Sequence, residues 1–137
     1  AIARRREEIY QNYRRLLKPL EAQGMLRLPT IPEDCRSNYH MFYILLPTAD
    51  ERDKMLEHLR SEGIHAVFHY VPLHTSPMGR TFGYKEGDLP VTEDLAGRLI
   101  RLPMYFDLTA SEAASVRDTI AETLTQSSVG LGARCDA

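Results

Sequence analysis

The sequence predicts an α+β domain in which a small mixed sheet is packed with helices. Three observations carry that prediction. Apolar residues recur at helical spacing in separate segments, short aromatic and β-branched runs fall between them, and two capping boxes mark helix starts.

From Ile2 to about Ala22, the spacing of Ile9, Tyr13, Leu16, Leu17 and Leu20 describes one apolar helix face, with arginines and glutamates on the other. No Ser, Thr, Asp or Asn precedes this segment, so the chain is expected to begin inside a longer helix. Pro19 should kink or end it, and Gly24 supplies a stop. Tyr39 to Leu46 is aromatic and branched on both alternating faces, as in a strand covered on two sides. Thr48 and Glu51 form a capping box, so a helix should run to Glu62, bury Met55, Leu56 and Leu59, and close at Gly63. Ile64 to His69 reads as the next strand. A strand-helix-strand step favours a parallel crossover between these two, with a third strand free to be antiparallel.

Val71 to Pro90 holds three prolines and three glycines with no sustained period, and reads as a long loop. Thr92 to Arg101 follows as a short helix and Leu102 to Tyr105 as an extended piece. A second capping box, Thr109 with Glu112, opens a last helix through Ala113, Val116, Ile120 and Leu124. Residues 1–126 therefore form one domain, and 127–137 are expected to be a mobile tail.

Composition is that of an ordinary folded protein: 137 residues, 43% hydrophobic and 26% charged. A formal charge of -2 gives no general reason to bind nucleic acid, which requires phosphate neutralisation by Lys and Arg. Arg4, Arg5 and Arg6 are followed at once by Glu7 and Glu8, which reads as a solvated helix face. Two cysteines, Cys35 and Cys135, do not make a disulfide framework. The longest apolar run, Met41 to Leu46, is too short to span a bilayer, so no membrane partner is expected and the protein reads as cytoplasmic.

The chemistry concentrates in Val67-Phe68-His69-Tyr70-Val71-Pro72-Leu73-His74, where a strand opens into a proline-stiffened segment bearing two imidazoles and a phenol. A zinc site built from His65, His69 and His74 has no convergent carboxylate or thiolate, and no metal is expected. No Gly-rich phosphate cradle follows a strand. Only Lys18, Lys54 and Lys85 carry amines, and none has a setting that suggests activation.

Four blocks read in order resemble the C-terminal domain of the DegT/DnrJ/EryC1/StrS sugar aminotransferases. They are Tyr39 to Phe42, Gly63 through His74, Phe82 to Tyr84 with Leu89 to Glu93, and Leu102 to Tyr105 before Leu108 and Thr109. The resemblance implies the small C-terminal domain of a fold type I transferase that uses pyridoxal phosphate. It further implies transfer of an amino group from glutamate to a nucleotide-linked keto sugar. The Phe68 to His74 wording is similar to the branch acting on TDP-4-oxo-6-deoxy-D-glucose. On this reading His69, Tyr70, His74 and Arg80 touch the sugar nucleotide, while His40, Pro72 and Arg101 serve packing or a domain interface. The Schiff-base lysine and most cofactor contacts would come from an N-terminal domain, with a homodimer as the whole enzyme. No catalytic residue and no bound cofactor are then expected in this chain, which alone should be inactive. Two other readings are a free-standing module that binds a nucleotide sugar or a partner, and an oligomerisation domain.

Overall fold

Twenty-one residues, Ile2–Ala22, form the first helix (α1), and its stripe of Ile9, Tyr10, Tyr13, Leu17 and Leu20 is buried. The structure, a computed structural model, describes residues 1–132, with side chains through Gln126. The remaining elements are β1 (Phe42–Leu45), α2 (Ala49–Ser61), β2 (Val67–Phe68), a 3-10 turn at Leu73–Thr75, α3 (Pro77–Thr81), α4 (Pro90–Arg98), β3 (Leu99–Leu102) and α5 (Ala110–Gly132). Among the described residues no helix is long and apolar enough to cross a membrane.

The three strands lie in the order β1-β3-β2, and both pairings are antiparallel, so the sheet is not mixed. β1 and β2 do run in the same direction, as their helical connection demands. They are not neighbours, because β3 is inserted between them. Ile44 faces Ile100, and Val67 faces Arg101 across the other edge of β3. Ile100 and Leu102 are buried while Leu99 and Arg101 are half-buried, so the sheet has one core face and one less-covered face. The core face meets Tyr13, Leu17, Met55, Leu59 and Ile120, all but sealed from solvent.

Tyr13 shows how the core accepts a polar atom. Its ring is buried and its hydroxyl donates to the Pro103 carbonyl at 2.9 Å, which satisfies a group that would otherwise be costly to enclose. Burial pushes this phenol well above the ordinary tyrosine range. Tyr10, absent from the periodic stripe read in the sequence, is also buried, edge-on to Phe42 at 4.8 Å.

One predicted capping box forms in full and the other in half. The Thr109 hydroxyl accepts from the Glu112 amide at 3.1 Å, and Glu112 accepts from the Thr109 amide at 2.8 Å. At α2 the Thr48 hydroxyl accepts from the Glu51 amide at 3.2 Å, but the Glu51 carboxylate takes the Thr48 hydroxyl rather than its amide. Gly24 and Gly63 adopt φ of +73° and +74° just past their helices, the left-handed stop that the sequence predicts.

Several expectations are corrected. α1 continues past Pro19 to Ala22, because only the final turn forgoes that amide donor. The strand expected over Tyr39 to Leu46 is confined to Phe42–Leu45; Tyr39, with φ of +50°, lies outside it. The strand expected over Ile64 to His69 shrinks to two residues. The long loop contains the 3-10 turn and α3. Its signal was Ser76-Pro77: Ser76 caps α3 by accepting from the Gly79 amide at 3.1 Å, and Pro77 occupies the first turn. The helix expected over Thr92 to Arg101 is shifted to Pro90–Arg98, and β3 begins at once. Leu56 is half-buried rather than buried. α5 extends beyond Gln126 into part of the expected tail; the rest of that tail lies outside the described residues.

Candidate functional site

Where β2 ends, Tyr70 adopts φ of +60°, a left-handed conformation that costs a bulky residue about 1–3 kcal/mol. The strained backbone turns its ring outward, and Tyr70 is 67% exposed. Pro72 then opens the 3-10 turn, and its carbonyl accepts from the Thr75 amide at 3.1 Å and the Thr75 hydroxyl at 3.0 Å. α3 lies hard against this turn. A Cβ at Gly79 would collide with the Leu73 and His74 carbonyl oxygens, so glycine there permits the close approach.

This packing builds a cleft of about 610 Å³ whose walls include Tyr70, Pro72, Thr75 and Arg80 from the 70–80 segment, Arg52 from α2 and Glu93 from α4. Arg80 is exposed, and its Nε donates to the Thr75 carbonyl at 3.1 Å, which leaves the rest of the guanidinium free to turn toward a ligand. Arg52 is paired with Asp53 at 3.0 Å. Asp53 and Glu86 also line the cleft, so with Glu93 three carboxylates face the two guanidiniums of Arg52 and Arg80. A wall that mixes donors with an excess of acceptors suits a hydroxyl-rich sugar better than a concentrated diphosphate charge.

His74 does not join Tyr70 and Arg80. It is buried, with Nε2 2.7 Å from Glu93 Oε1, and it lines a separate apolar cavity of about 640 Å³ with Leu73, Met78, Phe82 and Leu89. This imidazole is buried and supports the cleft wall from behind through Glu93. The same Glu93 carboxylate accepts from the Gly87 amide at 2.9 Å and the Leu89 amide at 3.4 Å. The His74 contact and these amides hold Glu93 below the usual carboxylate range. The sequence reading missed the role of Glu93, and also Arg52 and Thr75. Each looks like an ordinary surface residue until the chain is folded.

The His69 ring packs against Tyr70 at a tilt of 45°, with centroids 4.6 Å apart, and lines a neighbouring cleft of about 350 Å³. Its imidazole lies below the ordinary histidine range through burial first, then the charges of Arg101 and His40. His40 is exposed, with Nδ1 against Asn38 Oδ1, and does not pack in the core. Arg101 projects from the central strand among half-buried residues.

No group of three His, Cys, Asp or Glu residues converges among the described residues. The three lysines are exposed, and Lys18 is paired with Glu21 at 2.8 Å. A Schiff-base lysine needs a desolvated or otherwise activated amine, so none of these fits that role and no chemical step is assigned to them.

Fold and cleft together define a small helix-plus-sheet domain that offers a polar ligand wall. Residues 1–121 match the DegT/DnrJ/EryC1/StrS aminotransferase family, and the chain belongs to that family. It is 36% identical over 111 residues to the pleiotropic regulatory protein of Geobacillus stearothermophilus, covering 80% of this chain and 29% of that protein. It is 32% identical to dTDP-4-dehydro-2,3,6-trideoxy-D-glucose 4-aminotransferase of Saccharopolyspora spinosa, over 83% of this chain and 28% of the relative. The solved aminotransferase TlmJ from Streptoalloteichus hindustanus superposes with a TM-score of 0.77 at 30% identity, over 90% of this chain and 32% of its own. The chain thus spans about a third of the length of these relatives. Its architecture is that of a domain within a fold type I aminotransferase.

Proposed function

We propose that this chain is the substrate-facing C-terminal domain of a pyridoxal-phosphate-dependent sugar-nucleotide aminotransferase, acting on a TDP-4-keto-6-deoxyhexose with glutamate as donor. The observation that carries the reading is the convergence of Tyr70 and Arg80 on one cleft held open by a strained backbone and a packed turn. The family match and the sugar aminotransferases among its relatives support it.

The cofactor, when bound by the whole enzyme, carries the amino group between donor and sugar. What these residues contribute is binding. The Tyr70 phenol donates to or accepts from a sugar hydroxyl, Arg80 donates to an acceptor on the same ligand, and Pro72 and Thr75 keep the two in register. Because the lysines of this chain are exposed, the reactive amine and the cofactor cradle belong to the remaining two thirds of the family polypeptide. The chain alone then performs no turnover. The large apolar side chains left outside the core, Leu73 at 85% and Phe82 at 74% exposure among them, suit packing against that part or a second subunit.

The test is to follow the two half-reactions separately in the whole enzyme carrying this domain. Tyr70→Phe and Arg80→Ala should each slow the keto-sugar half-reaction about 10- to 100-fold, the range for one lost polar contact to a bound ligand, and leave the amino-donor half-reaction near its starting rate. Equal losses in both would remove the assignment.

A further inference from the structure

Residues 71–84 carry Arg80 into the cleft, yet little fixes them to the rest of the domain. Their large apolar side chains Leu73, Met78 and Phe82 are exposed, so burial anchors the segment weakly. Among the described residues, a single hydrogen bond joins residues 71–84 to any other part of the chain, and it runs from buried His74 Nε2 to Glu93 Oε1 on α4. The carboxylate only accepts, so Nε2 is the protonated nitrogen. From this tether two short routes lead to Arg80. The next residue, Thr75, offers the carbonyl that accepts from Arg80 Nε at 3.1 Å. The main chain follows as well: Gly79 lies hard against the Leu73 and His74 carbonyls, and the Arg80 amide donates to the Ser76 carbonyl at 3.0 Å.

We propose that His74 is a positioning residue: hidden from the cleft, it aims the Arg80 guanidinium into the cleft through Thr75. With the tether in place, Nε is already engaged and the terminal nitrogens face the ligand from a fixed root. Without it, the turn and α3 drift together and Arg80 must be ordered at the moment of binding. That ordering weakens affinity without touching any reacting atom, so its effect belongs in KM rather than in kcat. The consequence for turnover rests on the sugar-cleft reading of Arg80; the aiming itself does not.

Two measurements test this. In the 137-residue chain, the heteronuclear NOE at Arg80 Nε reads the order of the guanidinium, with exposed Arg60 at the end of α2 as the mobile reference. His74→Leu keeps bulk against the apolar cavity but has no donor, and should lower the Arg80 value to that of Arg60. His74→Gln can still donate to Glu93 and should keep it high. Glu93→Ala cuts the same tether from the α4 side and serves if the leucine variant does not fold. An Arg80 already mobile in the unsubstituted chain, or unmoved by loss of the tether, would overturn the proposal. In the whole enzyme, His74→Leu should raise the KM for a TDP-4-keto-6-deoxyhexose about tenfold with kcat within about twofold, and His74→Gln should recover most of the loss. In an Arg80→Ala background the same leucine substitution should change KM by less than about twofold, because nothing is left to aim. Additive losses would assign His74 to the fold alone and overturn the proposal. Should Arg80→Ala by itself leave KM untouched, the sugar-cleft reading falls, and the Arg80 relaxation still decides whether His74 holds the guanidinium.

Discussion

His74 Nε2 and Glu93 Oε1 lie 2.7 Å apart, although nineteen residues separate them, and this contact fastens the 3-10 turn to the first turn of α4. Through the Gly87 and Leu89 amides the same carboxylate gathers in the intervening segment. Glu93→Ala should therefore release residues 82–89 without unfolding the domain. Hydrogen exchange should quicken at Gly87 and Leu89 while Ile44 and Ile100 stay protected. Unchanged exchange at both loop amides would show that the carboxylate is not what holds the segment.

The same fastening should respond to acid. Glu93 is held below its ordinary value of 4.5, so the folded state binds its proton more weakly than the unfolded chain does. Its stabilising contribution is complete above that value and is lost as pH falls through the lowered native one. Exchange at Gly87 and Leu89 should quicken in this acidic window, and Glu93→Gln should remove the dependence.

Gly79→Ala should reach the cleft by sterics alone. The added methyl has only the Leu73 and His74 carbonyls to meet, so either the turn or α3 must shift. A loss of about 1–3 kcal/mol is expected from urea denaturation, as for other overpacked sites. Weaker sugar-nucleotide binding should accompany it in the whole enzyme.

Tyr70→Asn should trade function for stability. Asparagine tolerates the left-handed region better than tyrosine does, and the exposed ring forfeits little burial, so a gain of up to about 1 kcal/mol is expected. The urea midpoint should rise while the keto-sugar half-reaction slows. A lower midpoint would show that the ring, not the backbone, governs stability at this position.

The two capping boxes should differ in strength. Thr109→Ala removes the hydroxyl from a box that closes in both directions, and should cost about 1–2 kcal/mol. Thr48→Ala acts where Glu51 does not reach the Thr48 amide, and about 0.5–1 kcal/mol is expected. Thermal unfolding of both variants measures the ordering.

Features that depend on near neighbours could be read directly from the order of residues. Thr48, Thr109, Gly24 and Gly63 place their helix ends because capping and left-handed stops are local chemistry. The stripe from Ile9 to Leu20 declares its buried face because a helix repeats at short range. The blocks from Tyr39 to Leu108 also carried the family resemblance that residues 1–121 match. Features that need distant partners emerged only on folding. Strand order was hidden because β3 contains nothing that announces insertion between β1 and β2, and its start was masked by a helix that runs into it without a breaking residue. Tyr70 and Arg80 were legible as polar groups beside a stiffened turn, but their sharing of a cleft depends on α3 folding back across Gly79. His74 looked like a ligand contact of the same kind. Its separation from Tyr70 was set by Glu93, whose carboxylate becomes its neighbour only when α4 packs beside the turn.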